Sequence, residues 1–212
     1  MRKRPCCTQF FTCIILLLQF FCTTGDIAGV ETTNGYTVVA TSEDVEGTAS
    51  PYSSVFVCDT GYIPFVDSGF GRVTSVNESG TYRLKAQPGR YNVMVISSDA
   101  GYAGFVQAAV SADPPPQEHR TDLLYMKESG SLNAHVTSAT GYNLLVYLAG
   151  TCFHRELQGT GSIGFSALAE GGYKLRVARI SSSGNDGFTI LLDTLVNVSP
   201  GIRTRVGPIQ VE

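Results

Sequence analysis

An order of turn glycines and strand aromatics that occurs on both sides of a triple proline narrows the fold more than any other feature. Before the prolines the chain reads Ser54-Val55-Phe56-Val57, then Gly80-Thr81-Tyr82-Arg83-Leu84, then Pro88-Gly89-Arg90-Tyr91-Asn92-Val93. It closes with a run from Phe105 to Val110. After them it reads Asn143-Leu144-Leu145-Val146-Tyr147-Leu148, then Gly164-Phe165-Ser166, then Glu170-Gly171-Gly172-Tyr173-Lys174-Leu175, and closes with Phe188 to Val198. Asp113-Pro114 and Ser199-Pro200-Gly201 follow at matching places. One supersecondary unit used twice, with divergent spacing, is the economical reading. A Gly two residues ahead of Tyr supplies the turn. The Tyr then opens a strand with its ring inward and its hydroxyl near the rim, where it can find a partner.

The strands themselves are read from period-2 alternation. Tyr173, Leu175 and Val177 alternate with Lys174 and Arg176, and Tyr91, Val93 and Val95 alternate with Asn92 on the other face. Both predict strands with one face in water. After the head, no window of a dozen residues carries a 3.6-residue period, and the 23 glycines suit many tight turns. The expected fold class is all-β, with two tandem antiparallel β-sandwich domains over residues 35–112 and 121–212. Between them, residues 113–120 form a Pro-rich linker, because consecutive prolines offer no donors and favour extended chain.

The head predicts a signal segment over residues 1–22 and a flexible tether over 23–34. Arg2, Lys3 and Arg4 precede an apolar run from Phe10 to Phe21, broken by Thr12 and Gln19. That is a secretory layout, shorter than the roughly 20 apolar residues of a membrane span. No later stretch approaches that length. Cys22 ends the run and Thr23-Thr24-Gly25-Asp26 follows, which resembles a bacterial lipoprotein signal with Cys22 as the lipidated residue. Phe20 and Phe21 are larger than the residues usual before such a Cys. Cleavage after Gly25 or near Gly29, giving a freely secreted chain, is the alternative.

The stretch Gly80-Thr81-Tyr82-Arg83-Leu84-Lys85-Ala86-Gln87-Pro88-Gly89-Arg90-Tyr91 resembles the carboxypeptidase regulatory-like domains, which have the transthyretin-like (prealbumin-like) sandwich. Val146-Tyr147-Leu148-Ala149-Gly150-Thr151 is similar to that family's early strand and turn. The second copy departs from the pattern, with Glu170 where Pro is usual. The resemblance implies a non-catalytic domain of the kind bacteria place on envelope lipoproteins. It implies no catalytic residue, because the shared motif is structural.

Composition and spacing exclude several functions. Charged residues are 16% and the formal net charge is −3, so no basic patch exists to neutralise phosphates and no nucleic-acid partner is expected. Gly159-Thr160-Gly161-Ser162-Ile163-Gly164 spells a dinucleotide fingerprint, but no helix follows it, so a hairpin turn is expected. His119, His135 and His154 lack metal-ligand spacing, and no nucleophile elbow occurs, so no metal, cofactor or catalytic residue is assigned. Glu43, Asp44, Glu46, Asp59 and Asp67 read as a solvated acidic rim rather than a Ca²⁺ site. Lys127 and Asn197 could be crosslinked only beside a buried acid, and Glu170, in a turn, suits that poorly.

Cys58 and Cys152 do not occupy equivalent positions in the two halves. Two separate buried thiols are favoured over a bridge between the halves formed after export. Tyr52, Tyr62, Phe65 and Phe70, in a Gly- and Pro-punctuated segment, are the candidate ligand-binding residues, able to stack on sugar rings if exposed. Ordinary packing is the competing account, and the absence of Trp favours it. The expected role is an envelope structural or interaction module with a protein or polysaccharide partner, attached to the membrane through an N-terminal lipid. A carbohydrate-binding accessory protein is the alternative.

Overall fold

Thr81, Arg83 and Lys85 face solvent while Tyr82 and Leu84 between them are buried, the period of a strand with one wet face. A computed structural model describes residues 35–40, 44–64, 71–111, 124–138, 142–180 and 188–212, and these residues are built on such strands, with no helix among them. In the first half the strands are β1 (Gly35–Ala40), β2 (Asp44–Ala49), β3 (Ser54–Asp59), β4 (Gly71–Ser75), β5 (Thr81–Lys85), β6 (Gly89–Ile96) and β7 (Tyr102–Val110). Two short strands follow, β8 (Leu124–Tyr125) and β9 (Lys127–Glu128). The second half holds β10 (Gly130–Ser138), β11 (Asn143–Leu148), β12 (His154–Gln158), β13 (Gly161–Leu168), β14 (Gly171–Ile180), β15 (Phe188–Val198) and β16 (Arg203–Val211).

The strand order repeats. The first half has sheets ordered β5-β2-β1-β8 and β4-β3-β6-β7-β9, and the second has β13-β10-β16 and β12-β11-β14-β15. Six strands therefore correspond in sequence order, β2 to β7 with β10 to β15. The third strand of the smaller sheet differs. β1 enters from the N-terminal side and pairs antiparallel with β2, whereas β16 enters from the C-terminal side and pairs parallel with β10. In the glycine-rich segment Gly159-Thr160 turns the chain and Gly161–Gly164 opens β13, with no helix; because β12 pairs with β11 and β13 with β10, the turn passes from one sheet to the other, and the expected hairpin is corrected.

Val38, Val45, Val55, Val57, Tyr82, Leu84, Tyr91, Val93 and Val95 form one core between the first two sheets, with Met126 in it. Leu132, Val136, Leu144, Val146, Phe165, Tyr173, Leu175 and Val177 anchor a second. Residues beyond the proline segment complete the first sandwich, since β8 pairs with β1 and β9 with β7. The expected linker at 113–120 thus precedes two strands of the first half.

The second core is not private to the second half. It takes in Met94, Ile96 and Ala103, and Phe56 and Phe105 pack against it, all from the sheet that contains β6. The expectation that β6 shows one face to water is therefore corrected. Val93-Met94-Val95-Ile96 is a continuous apolar run, the mark of a strand covered on both faces. A third apolar group, Leu145, Tyr147 and Ala178, lies on the other face of β11 and β14 and is joined by Ile63 of the first half. Among the described residues no helix is long and apolar enough to cross a membrane.

Candidate functional site

The site with the most built-in specificity is the seam where the β11–β12 turn meets the first half. Leu148 ends β11, and Thr151 folds the chain back with its backbone N–H and its hydroxyl both donating to the Leu148 carbonyl, at 3.1 and 2.8 Å. The Phe153 N–H donates to the Thr151 hydroxyl at 3.1 Å. Gly150 sits at the tip with φ +69°, a left-handed conformation that glycine adopts without cost. Its N–H donates to the Tyr62 carbonyl at 3.1 Å, and its carbonyl accepts from Asn92 Nδ2 at 2.8 Å. An added Cβ would lie 2.5 Å from Asn92 Nδ2 and 2.7 Å from the Thr60 carbonyl oxygen, so no side chain fits there.

Aromatic packing extends the seam. The rings of Phe56 and Phe153 have centroids 5.9 Å apart, and Phe153 meets Phe165 edge-on at 6.3 Å. Phe105 of β7 meets Tyr173 of β14 at 6.1 Å. The crevice bounded by Phe56, Met94, Phe105 and Phe153 retains about 10 Å³, room for at most one water. It is a packed joint, not a ligand pocket.

Cys58 and Cys152 meet at one end of this joint, with their sulfurs 2.7 Å apart. The expectation of two separate thiols is corrected. Cys58, at the end of β3, and Cys152, in the β11–β12 turn, are non-equivalent in the two halves, yet the turn is seated on β3. The hydrogen bond from Cys58 lowers the Cys152 thiol, and the same bond together with burial pushes the Cys58 thiol far above its usual range. Two such groups share a proton rather than ionise together.

No protein-family profile matches this chain, and no curated protein matches it. Among solved structures it is similar to GBS52, the minor pilin of Streptococcus agalactiae, at 13% sequence identity and a TM-score of 0.32. That match covers 78% of this chain and 85% of the pilin. It is also similar to the Bacillus anthracis TIE protein, at 12% identity and a TM-score of 0.25, covering 76% of this chain and 30% of that one. Scores this low carry no inference about function. The resemblance to carboxypeptidase regulatory-like domains rests on its motif residues alone.

Of the candidate ligand-binding aromatics, the two among the described residues, Tyr52 and Tyr62, lie apart. Tyr52 is 62% exposed in the β2–β3 turn. Tyr62 lies beyond the opposite end of β3, half-buried, with its ring against Gly71 and its carbonyl committed to Gly150. Phe65, Phe70 and the candidate lipidation residue Cys22 lie outside the described residues, as does His119. His135 Nδ1 is 2.9 Å from the Ser162 hydroxyl, and His154 Nδ1 is 3.0 Å from the Cys152 carbonyl. Among the described residues no three of His, Cys, Asp and Glu converge in a metal-ligating arrangement.

One further expectation is revised. Asp44 does not stand on a solvated rim. It is buried, and Arg83 Nε and Nη2 reach its Oδ2 at 3.0 and 2.5 Å, the pairing that makes a buried carboxylate tolerable. Lys127 donates to Glu170 in an exposed ion pair, so the acid beside it is not the buried one a crosslink needs, and Asn197 lies opposite Gly172 in the β14–β15 ladder.

Proposed function

We propose that the chain is an exported, non-catalytic protein held at the bacterial cell envelope, where its two sandwiches serve as a structural or interaction module for a protein or polysaccharide. The observation that carries this reading is the seam. Phe56, Met94, Ile96, Ala103 and Phe105 are spent on joining the halves, and the crevice between them is filled. A joint packed through its aromatic side chains suits presentation and load-bearing better than turnover. The basic and then apolar head supports export, and Cys22 is the proposed lipid anchor. In this reading the first sandwich domain ends at Glu128 and the second begins at Gly130.

Mass spectrometry of the mature N-terminus tests the anchor. The expected result is a lipid-modified Cys22. An unmodified N-terminus downstream of residue 22 would remove the anchor and leave a secreted protein.

A second reading, a carbohydrate-binding accessory protein using Tyr52, Tyr62, Phe65 and Phe70, draws on the open ring of Tyr52. Retention on insoluble glycans decides between them. Retention that disappears in Tyr52→Ala and in the Tyr62→Ala/Phe70→Ala double variant would favour the second reading over the first.

A further inference from the structure

We propose that Cys58 and Cys152 form a disulfide that straps the end of β3 to the β11–β12 turn and locks the seam between the two halves. The proposal rests on the export reading in one respect, since disulfides persist in oxidising compartments.

The geometry is preset by groups other than the sulfurs. Cys58 is fixed in the ladder opposite Gly71 on one side and Asn92 on the other. Cys152 is fixed by the turn bonds of Thr151 and by the clamp of Tyr62 and Asn92 on Gly150. Those anchors leave the sulfurs 2.7 Å apart, whereas a disulfide bond is about 2.05 Å. The gap left to close is less than one bond length.

Two thiols this close, one of them fully buried, are also poorly served by staying reduced. They exchange a single weak S–H bond at a distance where non-bonded sulfurs repel. Oxidation removes both protons and the crowding together. The loop it closes spans 94 residues and contains the whole proline segment, so the strap holds the two halves together even when that segment is cut.

The chemistry balances with an external disulfide as oxidant, of the kind carried by glutathione disulfide or a thiol–disulfide oxidoreductase. Cys152 is the more exposed of the pair and has the lowered thiol, so it attacks first as the thiolate. A mixed disulfide forms, and one thiolate leaves and takes up a proton. Cys58 then gives up its proton and attacks the Cys152 sulfur, expelling the second thiolate, which is protonated in turn. Two cysteine thiols are oxidised and one external disulfide is reduced to two thiols.

The test uses the full chain, folded and incubated with glutathione disulfide, then alkylated and cleaved after glutamates without reductant. The expected product is peptide 47–78 joined to peptide 129–156, which collapses to two masses on reduction. It should be absent from Cys58→Ser and from Cys152→Ser. Circular dichroism checks that each variant is folded, and accessibility of the remaining thiol to alkylation gives a second readout. In either folded variant that thiol should be open to alkylation, whereas neither cysteine of the oxidised parent should be.

Recovery of both thiols alkylated after oxidation of the folded chain, or their capture as separate glutathione adducts, would overturn the proposal. The same peptide map on protein taken directly from cells tests the export reading separately. A pair that is reduced in cells but crosslinks with glutathione disulfide in solution would contradict export and leave the strap standing.

Discussion

The two halves share a strand order and differ in what their larger sheets face. Aligning Tyr91 with Tyr173 places Asn92 with Lys174 and Met94 with Arg176. In β6, Asn92 bonds the Gly150 carbonyl and Met94 is buried against the second half. In β14, Lys174 is exposed and Arg176 reaches across to Asp193 at 2.8 Å. The inward positions match, Val93 with Leu175 and Val95 with Val177, and all four are buried. The shared pattern therefore builds the sandwich, and the outward positions of β6 and β14 differ in what they meet: Asn92 and Met94 meet the second half, whereas Lys174 faces solvent and Arg176 pairs with Asp193. The closing strands say the same. β7 is flanked by β9 and covered through Phe105, whereas β15 ends its sheet and leaves Leu195 exposed. Its charged Asp193 is the sort of residue that discourages strand addition at an edge.

The largest expected effect is at a glycine. Gly80 and Gly150 both hold left-handed backbone, but a Cβ at Gly80 meets one carbonyl at 3.1 Å, whereas one at Gly150 meets the first half at 2.5 and 2.7 Å. Gly80→Ala should cost about 1–2 kcal/mol, the price of the conformation. Gly150→Ala should cost about 3 kcal/mol or more, because overpacking of the seam adds to it. Urea denaturation of both variants measures the difference. Equal losses would show that the turn is not seated on the first half.

Next comes the outward pair. Met94→Ala should cost about 2–4 kcal/mol through a cavity in the seam. Arg176→Ala, at the matching position, should cost about 1 kcal/mol or less, because its partner is partly solvated. Equal costs at the two positions would remove the distinction between the outward faces of β6 and β14.

A third comparison sets the two rim tyrosines side by side. Tyr91 donates to the Gln87 carbonyl at 2.6 Å and Tyr173 to the Ala169 carbonyl at 2.9 Å, each four residues back. Tyr173→Phe should cost about 1–2 kcal/mol and Tyr91→Phe about 0.5–1 kcal/mol, since the Tyr173 bond is fully buried and the Tyr91 bond partly so. Burial pushes both phenols up, Tyr173 more strongly. The stabilisation this represents is complete below about pH 10, where the unfolded phenol is still protonated, and is lost as pH rises from there through the folded value. Alkaline unfolding should therefore be shallower in Tyr173→Phe than in the parent. An unchanged alkaline limb would mean that the Tyr173 phenol is not held in its neutral form by the fold.

How far the sequence could be read follows from range. β3, β5, β6 and β7, and their partners β11, β13, β14 and β15, were legible because alternation and turn glycines are local signals. So was the Tyr hydroxyl at the rim, because a buried phenol must find an acceptor close by. β8 and β9 were not legible, since strands of two residues carry no period. The double burial of β6 was written in Val93-Met94-Val95-Ile96, but the surface that covers it lies some fifty residues away. The Cys58–Cys152 contact was hidden for the same reason. It depends on how the β11–β12 turn seats on β3, which Gly150, Asn92 and Tyr62 decide together and none of them signals alone. Tyr52 was readable as a loop aromatic, whereas the bond from Gly150 to the Tyr62 carbonyl left no mark in the sequence.

Hydrogen-exchange mass spectrometry along a urea titration of the full chain tests the joint most directly, following peptides from β6 and β14 in parent and Met94→Ala protein. With the seam as described, both strands lose protection at one urea concentration in the parent, and Met94→Ala moves both midpoints down together. Separate midpoints in the parent, with β14 unmoved by the substitution, would mean that each half is stable by itself and that the shared apolar face contributes nothing to holding them as one.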